Sequence, residues 1–247
     1  MTAWTYSLIS VFLVSLVSLV GIIFLSLRQE KMEKILVCLV SLSAGTLLGD
    51  AFIHLVPESF ELSENHLWPS LSILAGILAF FFLEKLIHWR HCHAVACQEH
   101  PHPFSYMILL GDTLHNFIDG MIIAGSFLVS VPLGIATTIA VVLHEVPQEI
   151  GDFGSLVYGG FSKLRALALN LLTGLSAVLG AVLVLILGES AGFIGFLIPL
   201  AAGGFIYIAS SDLIPELKKP SLAAGAFWQI GMFVAGIGLM LGLTFLE

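Results

Sequence analysis

Two stretches of the sequence place polar and ionisable side chains inside long apolar runs. The first stretch contains Asp112, His115, Asn116 and Asp119. The second contains His144, Glu145, Gln148, Glu149 and Asp152. Within each stretch the spacing puts the side chains on one face of an α-helix. Imidazole, carboxylate and amide groups are ligands of divalent metal ions, so the two faces together predict a metal site.

The helices that carry these residues are apolar enough to cross a lipid bilayer. The chain has 247 residues and is 58% hydrophobic but only 11% charged, whereas soluble domains are about 25% charged. This composition excludes a water-soluble enzyme, and nine Lys and Arg are too few for a nucleic-acid-binding surface. Eight runs reach the roughly 20 residues that a spanning helix needs. They cover residues 5–27, 34–57, 69–87, 104–128, 132–157, 164–187, 192–215 and 224–246.

The basic residues predict the orientation of the spans. All nine Lys and Arg lie at odd-numbered connections, whereas the even-numbered connections 58–68, 129–131 and 188–191 contain none. Because cytoplasmic loops carry the excess of Lys and Arg, we expect the odd-numbered connections in the cytoplasm and both termini outside. The protein is therefore predicted to be a multi-pass protein of the cytoplasmic (inner) or plasma membrane, with the lipid bilayer as its surroundings.

The two polar faces are predicted to meet near the centre of the bilayer. His115 lies roughly 16 Å into the fourth span and His144 roughly 18 Å into the fifth, at about 1.5 Å per residue. The alternative is a hydrogen-bonded network without a ligand, in which each bond contributes about 0.6–2 kcal/mol. Nine polar residues exceed what such a network requires. Asp112 and Asp152 are expected either to line the pathway or to contact the residues that bind the metal ion, without binding it themselves.

An internal repeat relates the second and seventh spans. Residues 44–58 (AGTLLGDAFIHLVPE) and 202–216 (AGGFIYIASSDLIPE) are identical at six of fifteen positions. An offset of five spans makes the two copies run in opposite directions, which is a frequent plan of secondary transporters. We therefore expect a single transmembrane domain over residues 1–247. It divides into a three-helix repeat (1–88), a cytoplasmic loop (89–103), two central helices (104–158) and a second three-helix repeat (159–247).

The repeat also predicts an acidic mouth on each side of the membrane. Asp50, His54 and Glu58 lie toward the outer end of the second span. Asp212 and Glu216 lie toward the inner end of the seventh. A metal ion would arrive at the first group and leave by the second. The alternative for Glu58 and Glu216 is that they are ordinary helix-end residues in water.

The loop between the third and fourth spans is rich in histidine and cysteine. Its candidate ligands are His91, Cys92, His93, Cys97, His100 and His102. Such tracts bind soft and borderline metal ions, but this spacing matches no zinc-finger pattern. The loop is interpreted as a weak, exchangeable cytoplasmic metal site, with a solvated loop as the alternative.

At these motifs the sequence resembles the ZIP family of divalent-metal transporters. The motif HNxxDG stands here as HNFIDG at residues 115–120, and HExPHE stands as HEVPQE at residues 144–149. The resemblance implies an all-α membrane protein with eight transmembrane helices in a 3+2+3 inverted-repeat bundle. It also implies metal movement toward the cytoplasm, homodimers, and Asn170 as a further polar contributor. The metal site implied by the resemblance consists of His115, Asn116, Asp119, His144, Glu145, Gln148 and Glu149.

One departure from the family motif bears on the transported metal. Gln148 replaces the second His of HExPHE, and an amide oxygen is a harder, neutral ligand. Zinc is the expected substrate, with iron(II), manganese or cadmium as alternatives, and no cofactor is expected. The rival hypotheses are an intramembrane zinc metalloprotease and a metal-selective channel that uses the same site. The protease is disfavoured because Gln148 removes one zinc ligand of HExxH, so we do not expect an enzyme.

Overall fold

The computed structural model describes residues 3–91, 102–187, 191–218 and 226–245, and its regular elements over these residues are all helices. Eight helices are long and apolar enough to cross a membrane, which confirms the predicted number of spans. Their apolar segments are Ala3–Phe24 (α1), Ile35–Glu61 (α2), Leu67–Leu86 (α3), Pro103–Val129 (α4), Val131–Tyr158 (α5), Lys163–Leu187 (α6), Gly195–Leu217 (α7) and Ala226–Leu243 (α8). Three helices extend beyond these segments: α2 begins at Gln29, α3 continues to His91, and α7 begins at Ala191.

Four helices depart from regular α geometry. The end of α1, Leu16–Phe24, is a 3₁₀-helix, and α6 consists of Lys163–Gly174 and Ser176–Leu187. Both α2 and α7 contain a π-helical turn, at Ala51–Leu55 and at Ile208–Leu213. The two π-helical turns fall at matching positions of the repeat, and such turns are frequent at functional sites.

The connections around the central helices are short and well defined. Ser130 alone separates α4 from α5, and its hydroxyl accepts a hydrogen bond from the backbone N–H of Leu133. The hydroxyl of Ser162 caps α6 in the same way by accepting from the N–H of Arg165. Between α5 and α6, Gly160 has a φ of 102°, which favours glycine. These caps fix the directions in which α5 and α6 leave their turns.

The packing of the helices follows the internal repeat. α2 packs extensively against α8, and α3 packs in the same way against α7. At Gly45 of α2 a Cβ would collide with the carbonyl oxygen of Phe233, and at Gly203 of α7 it would collide with that of Ile73. A Cβ at Gly236 would likewise collide with the carbonyl oxygen of Leu42, and a Cβ at Gly76 with that of Leu200. The two helix pairs therefore use matching glycine contacts, as an inverted repeat requires.

The central helices are held between these pairs. α4 packs mainly on α6 and α5, while α5 packs extensively against α2. The main apolar core runs through the middle of the bundle and includes Met107, Ile118 and Ile198, each at most 2% exposed. A smaller cluster around Met32, Phe153 and Phe161 packs where α2, α5 and α6 meet. This arrangement leaves the polar faces of α4 and α5 enclosed by protein.

Candidate metal centre

The polar residues of α4 and α5 converge as the helical spacing predicts. His115 is near the middle of α4 and His144 is near the middle of α5. Their imidazole ring centroids are 5.4 Å apart. His115 is almost completely buried, whereas His144 is partly exposed. The two polar faces predicted from the sequence therefore meet in the structure, and metal binding by them stays a prediction.

Four residues form a first cluster whose potential ligand atoms lie close enough together to hold one metal ion. One potential ligand atom from each of His115, Asp119, His144 and Glu145 lies within 4.8 Å of the others. The Nε2 atom of His115 is 3.6 Å from Asp119 Oδ2 and 3.5 Å from Glu145 Oε1. The Nε2 atom of His144 is 3.1 Å from the same Asp119 oxygen. Two imidazoles and two carboxylates form a ligand set suited to zinc and similar ions.

Several potential ligand atoms of this cluster make no hydrogen bond to any residue that the structure describes and are therefore available to coordinate a metal ion. Among the described residues, neither ring nitrogen of His115 has a hydrogen-bond partner, and Glu145 Oε1 has none. A buried polar group without a partner costs about 1–3 kcal/mol, and more when it is charged. Coordination of a cation would recover this free energy.

A second cluster lies beside the first and contains only carboxylates. Oxygen atoms of Asp112, Glu145 and Glu149 lie within 4.8 Å of one another. Glu145 belongs to both clusters, so the two are adjacent. Carboxylate oxygens favour harder cations than imidazoles do.

Two amide side chains complete this second cluster. Asn116 Nδ2 donates to Asp112 Oδ1 at 2.8 Å, and Asn170 Nδ2 of α6 donates to Glu149 Oε2 at 2.7 Å. These bonds occupy the amide N–H groups. The amide oxygens of Asn116 and Asn170 have no hydrogen-bond partner within the described part of the chain. The structure thus places Asn170 beside Glu149, and its contribution to metal binding stays a prediction.

Two further residues predicted at the site have different surroundings. Gln148 is 3% exposed, and its Nε2 makes no hydrogen bond to any described residue. Asp152 is also buried, but its Oδ1 accepts a hydrogen bond from Ser43 of α2 at 3.1 Å. Asp152 therefore joins α5 to α2 and lies outside both clusters. Ligation by Gln148 stays a prediction.

A cavity of about 520 Å³ connects the first cluster with one face of the bundle. Glu58 and Glu61 of α2 line its mouth, and His115, Asp119 and His144 line its inner end. Asp50 and His54 lie between, with His54 Nδ1 3.2 Å from Asp50 Oδ1. The other oxygen of Asp50 is 3.8 Å from His115 Nδ1. The segment of α2 predicted to guide a metal ion thus lines the cavity from its mouth to the cluster and contributes Glu58, His54 and Asp50 to its wall.

The corresponding residues of α7 are not part of this cavity. Glu216 accepts a hydrogen bond from the hydroxyl of Tyr158, and Asp212 is partly buried. Between them and the site, the ring of Phe205 packs 5.0 Å from the ring of His115, measured between centroids. A predicted exit at Asp212 and Glu216 is therefore separated from the metal ligands in this structure.

Three contacts near the site were not anticipated from sequence. Ser18 of α1 donates a hydrogen bond to Glu149 Oε1; the only sequence signal for it is the helical spacing of Ser7, Ser15 and Ser18 within an apolar run. Tyr207 of α7 donates to Glu84 of α3. Phe205 contacts His115, and nothing in its spacing distinguishes it from other core residues. Spacing within one helix shows which residues share a face, but not which other helix covers that face.

The predicted histidine and cysteine loop lies mostly outside the described residues. Cys92, His93, Cys97, His100 and the side chain of His91 belong to this part. His102 is described: it is exposed, its backbone N–H donates to the carbonyl of Gly159 at 2.8 Å, and its ring stacks on Phe104. His102 thus borders the start of α4, and its role as a ligand stays a prediction.

Fold and site together define a class of protein. Eight apolar helices enclose a buried group of imidazoles and carboxylates that an acidic cavity connects with one face. Ionisable side chains inside membrane helices usually mark an ion or substrate pathway. The molecule is an integral, multi-pass membrane protein with a candidate cation site between its central helices.

Comparison with known proteins identifies the family within this class. A sequence profile described as ZIP zinc transporter matches residues 1–105 and 90–244. The chain therefore belongs to the ZIP zinc transporter family. Membership confirms the resemblance of the two motifs and supports metal-ion transport as the general function.

Individual relatives agree with this assignment. Zinc transporter zipt-7.1 of Caenorhabditis briggsae is 29% identical over 316 residues, which cover 100% of this chain and 80% of the relative. Zinc transporter ZIP13 of Pongo abelii is 34% identical over 82% of this chain and 65% of the relative. Zinc transporter ZIP4 of Homo sapiens is 32% identical over 75% of this chain and 39% of the relative. The match therefore spans less than two thirds of the latter two proteins.

Proposed function

We propose that this protein transports a divalent transition-metal ion, with zinc as the expected substrate, through the two clusters between α4 and α5. The observation that carries the proposal is the cavity that ends on His115, Asp119 and His144. Metal-ligating atoms that converge at the end of a polar access route are what a transported cation requires. Asp50, His54 and Glu58 would pass the ion inward from the mouth.

The charge balance of the site also supports a cation as substrate. Asp112, Asp119, Glu145 and Glu149 are each at most 5% exposed. The sequence from 103 to 158 contains no Lys or Arg that could neutralise them. A buried charge without a partner costs several kcal/mol, so the cluster requires bound cations or protons. Metal binding displaces protons from such ligands, which makes exchange of protons for metal a natural step.

The distribution of basic residues supports uptake into the cytoplasm. The cavity is lined at its mouth by Glu58 and Glu61, which lie in the second connection (58–68), and by Leu133, which follows the fourth. These even-numbered connections lack Lys and Arg, so the positive-inside rule puts them outside. The cavity would then face the outside, and the ion would move past Asp212 and Glu216 into the cytoplasm. A cytoplasmic (inner) or plasma membrane location follows from this orientation.

Other parts of the proposal concern assembly and the loop. We propose a homodimer, as the family resemblance implies, and the four-part division of the chain at residues 88, 103 and 158. The histidine and cysteine loop would hold metal weakly on the cytoplasmic side after release. A metal-selective channel is the alternative mechanism, and it differs from a transporter in showing flux that does not saturate.

Uptake into proteoliposomes tests the proposed function. The purified protein should take up radiolabelled zinc, cadmium, manganese or iron(II) saturably, and the ions should compete. His115→Ala should abolish this uptake because it removes an imidazole from the first cluster. His66→Ala, in the exposed connection between α2 and α3, is the matched control and should transport normally. Absence of any uptake by the natural protein would refute metal transport, and uptake that does not saturate would favour the channel. Unchanged uptake by His115→Ala would refute the site.

The metal preference is tested at Gln148. Gln148→His restores the imidazole of the family motif and adds a softer ligand. The variant should favour zinc over manganese more strongly than the natural protein does. An unchanged ratio of the two uptake rates would show that this position does not tune the site.

A further inference from the structure

Residues of α7 separate the metal ligands from the side of the bundle opposite the cavity. α4 runs toward the cavity mouth, so Gly111 lies one turn farther from the mouth than His115 does. Phe205 covers the ring of His115 at a centroid distance of 5.0 Å. Ile208 fills the space at Gly111, where a Cβ would lie 2.7 Å from its Cδ1 atom. Both side chains are 1% exposed.

Comparison of the two copies of the repeat shows that a position of this apolar barrier is polar in the other copy. Residues 44–58 and 202–216 align position by position, so Ile208 corresponds to Asp50 and Asp212 corresponds to His54. On α2, Asp50 and His54 both line the cavity on its way to the site. On α7 the first charged residue is Asp212, one turn beyond Ile208. The same backbone position thus carries an access residue in one repeat and a blocking residue in the other.

We infer that Phe205 and Ile208 form an apolar gate that closes the metal site toward the face opposite the cavity. A dry apolar constriction excludes a hydrated cation because the ion would lose its water without gaining ligands. The gate belongs to α7, whereas the site belongs to α4 and α5. Opening therefore requires α7 to move away from α4, and the π-helical turn at Ile208–Leu213 lies at the gate. The inference rests on the proposed transport function.

Removal of the gate tests the inference by the concentration dependence of zinc flux. In proteoliposomes with a trapped zinc indicator, the Phe205→Ala, Ile208→Ala double variant should gain a component of flux that rises linearly with external zinc. Phe196→Ala is the matched control, since Phe196 lies on the same helix but is half exposed. It should retain the saturable curve of the natural protein. A double variant that lacks the linear component would overturn the gate.

A cross-link provides a second test that does not depend on the stability of the double variant. In a protein with Cys38, Cys92 and Cys97 replaced by serine, Gly111→Cys and Ile208→Cys place thiols on the two sides of the contact. A short, reducible bifunctional thiol reagent should then join α4 to α7 and abolish zinc flux, and a reductant should restore it. Undiminished flux through cross-linked protein would overturn the gate. If the natural protein transports no metal at all in the same vesicles, the proposed function fails instead.

Discussion

The segment of α2 around Asp50 and the segment of α7 around Ile208 share a backbone design but present opposite chemistry to the metal site. Each contains a π-helical turn, a Pro–Glu pair and a glycine that meets a carbonyl of a neighbouring helix. On α2 this design presents Glu58 and Asp50 to the cavity that ends at His115. On α7 it supports Phe205 and Ile208, which are apolar and buried.

The difference shows how the two halves of a repeat can open the metal site on one side and close it on the other. The helix contacts place the α2 segment beside α5 and the α7 segment beside α4. The side chains then decide which face of the site is open to water. An exchange of roles between the halves would alternate access, as in transporters built from inverted repeats.

The largest effect is expected on stability, at the glycine contacts that the two halves share. Gly45→Ala and Gly203→Ala each force a Cβ against a backbone carbonyl. Overpacking typically costs about 1–3 kcal/mol, and backbone atoms can yield least. Both variants should lower the thermal unfolding temperature of detergent-solubilised protein to a similar extent.

Gly238→Ala is the control for these two variants, because a Cβ there meets open space. It should leave the unfolding temperature unchanged. A loss of stability for only one of Gly45→Ala and Gly203→Ala would break the proposed equivalence of the two halves.

The second-largest effect should distinguish the acidic residue of the α2 segment from that of the α7 segment in zinc uptake. Asp50→Asn removes the carboxylate whose Oδ2 atom lies 3.8 Å from Nδ1 of His115, and with it a negative charge that attracts a cation to the first cluster. The half-saturating zinc concentration should therefore rise several-fold. Asp212→Asn, beyond the gate, should lower the maximal rate and leave the half-saturating concentration unchanged. Equal effects of the two variants on the half-saturating zinc concentration would contradict the proposal that α7 separates Asp212 from the metal site.

The smallest effect concerns the two mouths. Glu58→Gln removes one charge at the cavity mouth and should reduce zinc uptake a few-fold at low concentration, because surface charge concentrates cations locally. The reduction should vanish at about 1 M salt, where the Debye length is about 3 Å. Glu216→Gln should not change uptake at low zinc, since Glu216 lies on the closed side and bonds to Tyr158. A salt-independent effect of Glu58→Gln would argue against electrostatic attraction at this mouth.

Much of the architecture followed from the sequence. Spans longer than a bilayer core are recognised by composition alone, and the spacing of Asp112, His115 and Asp119 placed them on one helical face. The repeat was visible because six of fifteen positions remained identical. The predicted ends of the spans differ from the observed ends by a few residues, because helices extend past the apolar core and their apolar limits are gradual.

Other features depend on contacts between helices and could not be read from a single helix. Ser18 reaches Glu149 only because α1 packs beside α5 and α6. Pro147 lies inside α5, and the helix nevertheless continues without interruption from Val131 to Tyr158. The π-helical turns have no established sequence pattern, and they became apparent only in the backbone of α2 and α7. The blocking role of Phe205 likewise required the position of α7 relative to α4.

The central claim is that the transported metal binds between α4 and α5 at the inner end of the cavity. A crystal structure of the protein with bound zinc, with anomalous diffraction measured at the zinc absorption edge, tests it directly. The account predicts an anomalous peak within ligand distance of His115, Asp119, His144 and Glu145. A peak found only elsewhere, for instance on the histidine and cysteine loop, with none between these four residues, would contradict it.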